Sequence, residues 1–444
     1  MPALSRLLPT ALLLLGVAGI WLVPALYGGI FRTYTHTEAG TYSDFSQTWV
    51  ATQALLFHGQ NPYSPALVPR IQEAYYGYAL RGDDPHRPTH PQGFYYPLYI
   101  MWLTWPFAFL PLAVVTIVFK LLTVSLLVGG TYGYLSLWRG PPPPWRRGAV
   151  AASILLTLGA QAAISSDQPT VLLFGLLMAA LVAAGRGHYA VAGVLLALAT
   201  IKPQLALLPA LGLVIWSLGR AERRSFLWGG VATGAALLSS SLLLLPSWPL
   251  DWLHTFVSYT AATAGSGLAQ GRWVDWLGLI LRVCLALLVF PLWWSVRRRP
   301  LTDGRVGAAF AITLVINLAV QQPWFIYNLV LLYPALLGVW AAFCMAPSDL
   351  PAPPRTLSWV ALALFALPWL VYPGLGVVYL LRLVPITGLT WPSFAALFLI
   401  TVRIIGDSTV VTALFACLAW LPGLLRPPPS APVAAAAPPH TWSH

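Results

Sequence analysis

The sequence predicts an all-α polytopic membrane protein, and three observations carry that reading. Hydrophobic residues make up 58% of the 444 and charged residues only 8%, where a soluble domain carries roughly 25% charged residues. Apolar runs of about 15–25 residues alternate with short polar stretches, and a helical span needs roughly 20. The 21 Trp and 18 Tyr suit bilayer interfaces, where amphipathic rings settle. Inside hydrocarbon every backbone N–H and C=O must be paired within the chain, so the runs are read as helices. The expectation is one transmembrane domain over residues 1–425 with about 11–13 spans, an outer first loop at 28–93 carrying interfacial helices, and a disordered Pro/Ala-rich tail at 426–444.

Taken in order, the run "LLPTALLLLGVAGIWLVPALY" is long and lacks an A-x-A-like site after it, so it is read as an uncleaved first span. The segment 45–57 is expected to form a short amphipathic helix along the interface. The stretch 94–137 is apolar throughout. Orientation parity allows it one net crossing, so 112–137 is taken as the span and "FYYPLYIMWLTWPFAF" as a re-entrant or interfacial helix. "RGPPPPWRRG" reads as a stiff polyproline connector.

The net charge of +12 does not point to nucleic acid. Nearly all cations sit in short connections, including Arg139/Arg146/Arg147, Arg186, Arg220/Arg223/Arg224 and Arg297/Arg298/Arg299/Arg305, where they set membrane orientation. With those connections cytoplasmic, the other side holds eight of the 12 acids: Glu38, Asp44, Glu73, Asp83, Asp84, Asp167, Asp251 and Asp275. Chemistry is therefore expected on the outer face. Cys284, Cys344 and Cys417 all lie in apolar runs and form neither a disulfide framework nor a metal site. His86 and His90 lack metal-ligand spacing.

Asp44 follows the first span and precedes "FSQTWVATQALLF". A carboxylate held at the rim of an apolar core is desolvated, which raises its pKa and suits it to accept a proton near neutrality. The same position also fits a helix N-cap, and both readings stay open. Asp167, in "SSDQPT", reads most simply as a cap before a helix. The chain has two lysines, Lys120 and Lys202, among its 24 cations. Lys202 sits in "ATIKPQ", at an outer or embedded turn, where a charge costs about 2.5–3.5 kcal/mol and needs a partner. It either snorkels to the interface or holds a phosphate as a point charge. Arg272 is a further outer cation that could share this role. Amides and aromatics gather in the outer turns, among them Gln168, Gln204, Gln322, Trp324, Tyr327 and Asn328. Such groups suit sugars, whose hydroxyls pair with amides and whose C–H faces lie on rings.

The order "YSDFSQTWVATQALLFHGQNPYSP", "FYYPLYIMWLTWPFAFLP" and "SSDQPTVLLFGLLMAALVAAGRGHYAVAGVLLALATIKPQLALLPAL" resembles glycosyltransferase family 87. That family belongs to the GT-C fold class and contains polyprenyl-phosphate-mannose-dependent α-mannosyltransferases of cell envelopes. The resemblance covers about residues 8–345. It implies that Asp44, matching the family's loop aspartate, is the catalytic base. Gly59, Asn61, Pro62 and Tyr63 match its G-x-N-P-Y element, and Lys202-Pro203 its K-P. Tyr96-Pro97-Leu98 matches Y-P-P-L with the second proline missing. Asp167-Gln168-Pro169 resembles its G-Q turn with Asp in place of the usual Gly. The family's late N-Q-S-like element is absent, and "GLAQGRWVDW" occupies its place.

The resemblance thus implies an inverting transferase moving a hexose, mannose in the family, from a polyprenyl-phosphate sugar to a lipid-linked or envelope glycan acceptor. The site would face outward from the plasma membrane. Lys202 and Arg272 would hold the donor phosphate. Asn61, Tyr63, Tyr96, Asp167, Gln168, Gln204, Gln322 and Trp324 would hold sugar or acceptor. No cofactor and no metal are expected. The alternative is a transporter or flippase of a lipid-linked or anionic substrate, which also uses broken helices and embedded cations.

Overall fold

Apolar composition is converted into helices throughout the computed structural model, which describes residues 41–80, 92–137, 143–264, 272–321 and 325–337. Among these residues no strand occurs. The helices are α1 Phe45–His58, α2 Val68–Tyr76, α3 Leu112–Leu135, α4 Pro144–Ala152, α5 Leu158–Ser165, α6 Thr170–Gly185 and α7 Tyr189–Ala199. They continue with α8 Pro203–Leu218, α9 Arg224–Leu244, α10 Trp248–Ala264, α11 Arg272–Leu287, α12 Val289–Val296 and α13 Gly304–Val320. The first span, the loop at 81–91 and the C-terminal expectations lie outside the described residues.

Three described helices are long and apolar enough to cross a membrane: Leu112–Leu135, Ala221–Leu244 and Gly278–Val296. Pro144–Leu156 and Gly159–Ser165 are apolar enough together but meet at a 67° bend, the form of a broken span or a re-entrant loop. The other apolar helices run 10–17 residues, short of the roughly 20 a straight span requires. The described residues therefore hold fewer full-length spans than the apolar runs suggested, because several runs break at Pro, Gly or polar turns. Over 94–137 the chain divides into a short helical segment Leu98–Phe109 and the 24-residue α3.

Helix α3 shows how a span with little amphipathicity is placed. Val115, Phe119, Thr123, Leu127 and Thr131, four residues apart, are buried, while Ile117 is 53% exposed. Four-residue spacing returns to nearly the same face. Small residues then set the approach of neighbours. A Cβ on Gly193 of α7 would stand 2.0 Å from the Phe226 carbonyl of α9, and one on Gly229 2.2 Å from that of Ala190. Without a hydrophobic drive between helices in lipid, such backbone-to-backbone packing holds them together.

Segment 45–57 and the proline connector differ from their expected form. Segment 45–57 is helical, yet protein encloses it on most sides: Phe45, Ser46, Gln47, Thr48, Val50, Ala51, Thr52 and Ala54 are all buried. It does not present one apolar and one polar face, because polar Ser46, Gln47, Thr48 and Thr52 are buried together with the apolar residues. Thr52 bonds back to the Thr48 carbonyl of its own helix at 2.6 Å, while the Trp49 indole donates to the Leu110 carbonyl at 3.0 Å and Gln53 to that of Ala108 at 2.9 Å. After Ser247 the chain enters α10, whose Trp252 indole donates to the Tyr95 carbonyl at 3.1 Å. The proline connector likewise turns helical at Pro144, which occupies the first helical turn where a missing N–H costs nothing.

Arginines and the polar turns stand at opposite helix ends. Lys202 and Gln204 are at the start of α8, and its far end, at Trp216, takes Arg223 over the indole at 3.9 Å. Fourteen residues of helix separate them by about 21 Å. Arg223 is buried and donates to the carbonyls of Trp216, Arg297 and Arg299, where helix C-termini favour a cation.

Candidate active site

Asp44 occupies the N-cap position of α1, but its carboxylate makes no capping hydrogen bond. The backbone does the work of the turn: Ser46 N–H donates to Ser43 at 2.9 Å, and Asp44 N–H to the Ser166 carbonyl at 2.7 Å. That second bond ties the start of α1 to the turn between α5 and α6. The side chain is left to face a different partner, the Gln168 amide, whose Nε2 donates to Asp44 Oδ2. Of the two readings of Asp44, the geometry leaves capping aside.

Gln168 carries the contact onward. Its Oε1 accepts from Lys202 Nζ at 2.7 Å, and Lys202 donates a second bond to Thr170 Oγ1 at 2.7 Å. Thr170 in turn donates to Asn328 Oδ1 at 3.1 Å. The Lys202 ammonium also lies 5.5 Å from the Tyr96 ring centre and 5.0 Å from that of Tyr327, an attraction that strengthens when water is excluded. Lys202 is only 6% exposed. It does not snorkel; it is partnered in place, as an embedded cation must be. Pro203 follows as the first residue of α8.

Asp167 is not a cap either. Helix α6 begins at Thr170 with Pro169 as its N-cap, and the Asp167 carboxylate instead takes Lys120 Nζ at 2.5 Å. Asp167 has φ +49°, a left-handed conformation that glycine adopts freely and Asp tolerates better than most residues. This explains the glycine in the motif this turn resembles. Tyr42 shares φ +49°, so the two non-glycine left-handed residues among those described both flank Asp44.

A cavity of about 810 Å³ opens on these residues, lined by Asp44, Gln168, Lys202, Gln204, Tyr96 and Lys120 among others. Other expected residues stand elsewhere. Asn61 donates to Asp251 Oδ2 at 2.8 Å, and the Tyr63 hydroxyl to the Tyr96 carbonyl at 2.8 Å. Both brace the loop behind the cavity. Asp167 sits behind Lys120, only 1% exposed. Arg272 opens α11, but its side chain, with Gln322 and Trp324, lies outside the described residues.

Several wall residues were not singled out as site residues. Gln47 donates to Gln92, Tyr95 packs on Tyr259 with ring centres 4.1 Å apart, and all four line the cavity. Lys120 was the one with a sequence signal, being a lone lysine within an apolar run.

The electrostatics follow from burial. Desolvation raises the Asp44 carboxyl from 3.8 to about 7, opposed by the Lys202 charge and the Gln168 hydrogen bond. The same burial lowers the Lys202 ammonium, opposed by Asp44. Asp167 is raised by desolvation and opposed first by Lys120. Burial holds the Tyr96 phenol far above its usual range, so it stays neutral. The cavity thus sets one carboxylate of raised pKa and two lysines among rings and amides.

The model of glycosyltransferase family 87 matches residues 94–323. No curated protein and no solved structure matches the chain. The matched region contains Tyr96, Lys120, Asp167, Gln168, Lys202, Gln204 and Arg272, while Asp44 precedes it. It spans just over half of the 444 residues, and the chain belongs to glycosyltransferase family 87.

Proposed function

We propose that this glycosyltransferase moves a hexose, mannose by the resemblance, from a polyprenyl monophosphate to a hydroxyl of a lipid-linked or envelope glycan at the outer surface of the plasma membrane. One observation carries the reading: Asp44 and Lys202 are joined through a single amide, Gln168, at the wall of one cavity. Asp44 is the general base. It takes the acceptor proton as that oxygen attacks the anomeric carbon from the face opposite the phosphate, and the configuration inverts. Such assistance is worth roughly 10²–10⁴ in rate.

Lys202 faces the departing lipid phosphate. Negative charge arriving there favours the ammonium that burial disfavours, so the cation is strongest when the leaving group needs it. The leaving phosphate is already anionic and needs no general acid. In this reading Lys202 supplies the charge stabilisation at the phosphate, and neither a cofactor nor a divalent ion is invoked. Tyrosines and amides around the wall offer stacking faces and hydrogen bonds to sugar. An outer location is supported by the arginine-rich connections, which cluster at the end of α8 away from Lys202.

The test is sugar transfer in membranes carrying the full chain, using a synthetic polyprenyl-phosphate hexose, with and without EDTA. Transfer with inversion, insensitive to EDTA and abolished in Asp44→Asn, is the expected outcome. An Asp44→Asn enzyme with an undiminished rate would end the assignment of the base, and loss of activity in EDTA would end metal independence.

A further inference from the structure

Lys120 lies in the middle of a span. It is paired with Asp167 at 2.5 Å and also donates to the Ile164 carbonyl at 3.2 Å. An ammonium has three N–H donors, so Lys120 spends two on the protein and keeps one. Its side chain is 21% exposed and lines the cavity. Lys202 shows the same economy, with two donors spent on Gln168 and Thr170. The two lysines reach one cavity from different helices, and each is fixed by a residue of the Asp167–Thr170 turn.

The approach to Lys120 is also distinctive. Ala113, Thr116 and Ile117 join it in lining the cavity, at i, i+3, i+4 and i+7 along one stripe of α3. Ala113 and Ile117 are exposed, whereas Thr116 and Lys120 are half-buried. The cavity therefore opens sideways along about 10 Å of this helix. Its rim is flanked by the exposed apolar side chains of Val114, Val118 and Leu121. An anion tethered to an apolar chain fits such an opening, its chain against the helix and its charge at the lysine.

We propose that Lys120, positioned by Asp167, is a second phosphate-binding cation at a lateral mouth beside α3, through which the lipid monophosphate enters with its chain lying along Ala113, Thr116 and Ile117. This rests on the donor reading above. Asp167 acts through Lys120 and touches no substrate. Its left-handed backbone is one that glycine would satisfy equally, so its carboxylate is there for the lysine.

The test uses purified full-length protein in detergent, titrated calorimetrically with farnesyl phosphate and, separately, with inorganic phosphate. Donor KM and kcat are measured alongside. The variants are Lys120→Met, Lys120→Arg and the double variant Lys120→Met/Asp167→Gly, which removes both charges and leaves no buried acid unpaired. Farnesyl phosphate is expected to bind wild type, and the double variant at least about tenfold more weakly. Donor KM should rise in parallel with kcat within about twofold, and Lys120→Arg should restore both. A double variant that binds farnesyl phosphate like wild type would show the pair to be structural and overturn this inference, leaving the donor reading intact. Equal binding of inorganic phosphate and farnesyl phosphate would overturn the lateral route for the chain. Failure of wild type to bind farnesyl phosphate would overturn the donor reading together with it.

Discussion

The charge state of Asp44 should be visible in the pH dependence of transfer. An ordinary aspartate, titrating near 3.8, would be fully ionised from pH 5 upward and give a flat profile. Burial instead places Asp44 at about 7, and a general base works only in its deprotonated form. The sign follows: the rate falls as pH drops through about 7. At higher pH it falls again as the Lys202 ammonium, lowered to about 7 by the same burial, loses its proton, so the profile is a bell. One unit below that value roughly a tenth of the sites hold the base form. Replacing Gln168 with Leu removes the hydrogen bond that favours the carboxylate, so the acidic limb should move to higher pH. A hydrogen bond to a charged group is worth about 1.5–3 kcal/mol, and 1.36 kcal/mol is one pKa unit, so the displacement is about one to two units. The assay is kcat/KM for a synthetic polyprenyl-phosphate hexose in membranes, from pH 5 to 9, for wild type, Gln168→Leu and Asp44→Asn. Because Asp44 and Lys202 interact, the limb reports the pair. A wild-type profile flat from pH 5.5 to 8.5, or an Asp44→Asn enzyme keeping the same limb, would refute the reasoning.

Three further outcomes are expected. Lys202→Ala should raise donor KM about tenfold or more and also shift the acidic limb upward, since the Lys202 charge lowers the Asp44 pKa; unchanged donor dependence removes it from the phosphate site. Gly193→Ala would put a Cβ 2.0 Å from the Phe226 carbonyl, forcing α7 and α9 apart at a cost of about 1–3 kcal/mol. A lower midpoint of thermal unfolding in detergent is the check, and an unshifted one means the two backbones are not that close. Arg223→Met strips charged hydrogen bonds from three carbonyls. It should cost about 2–4 kcal/mol of stability while leaving donor KM unaltered, since the residue is far from the cavity; a change in KM with unchanged stability contradicts the clamp.

How much of this was legible in the sequence varies by residue. Lys202 could be singled out by scarcity, since an embedded cation is expensive wherever it falls. Asp44 could be singled out too, but not separated from a helix cap, because capping and catalysis favour the same residue type at the same place. Lys120 carried the same signal of scarcity but offered no partner to read it against. Asn61 and Tyr63 sit in a recognisable motif, yet they brace the loop behind the cavity and do not line it. Segment 45–57 suggested an interfacial helix, and only packing shows its threonines and glutamines turned inward.

The sequence by itself determined the solvent of this protein and the chemistry available to it. Apolar runs partition into a membrane whatever their neighbours, and once there their backbones must close on themselves as helices. Partnership was left to the tertiary structure. Gln168 reaches Asp44 across 124 residues and Lys202 across 34, and Lys120 finds Asp167 across 47. Hydropathy is summed residue by residue along the chain, whereas these hydrogen bonds depend on the fold bringing a donor and an acceptor from distant segments within about 3 Å of each other. The burial that raises the Asp44 pKa comes from helices outside its own segment, so that shift exists only in the folded chain.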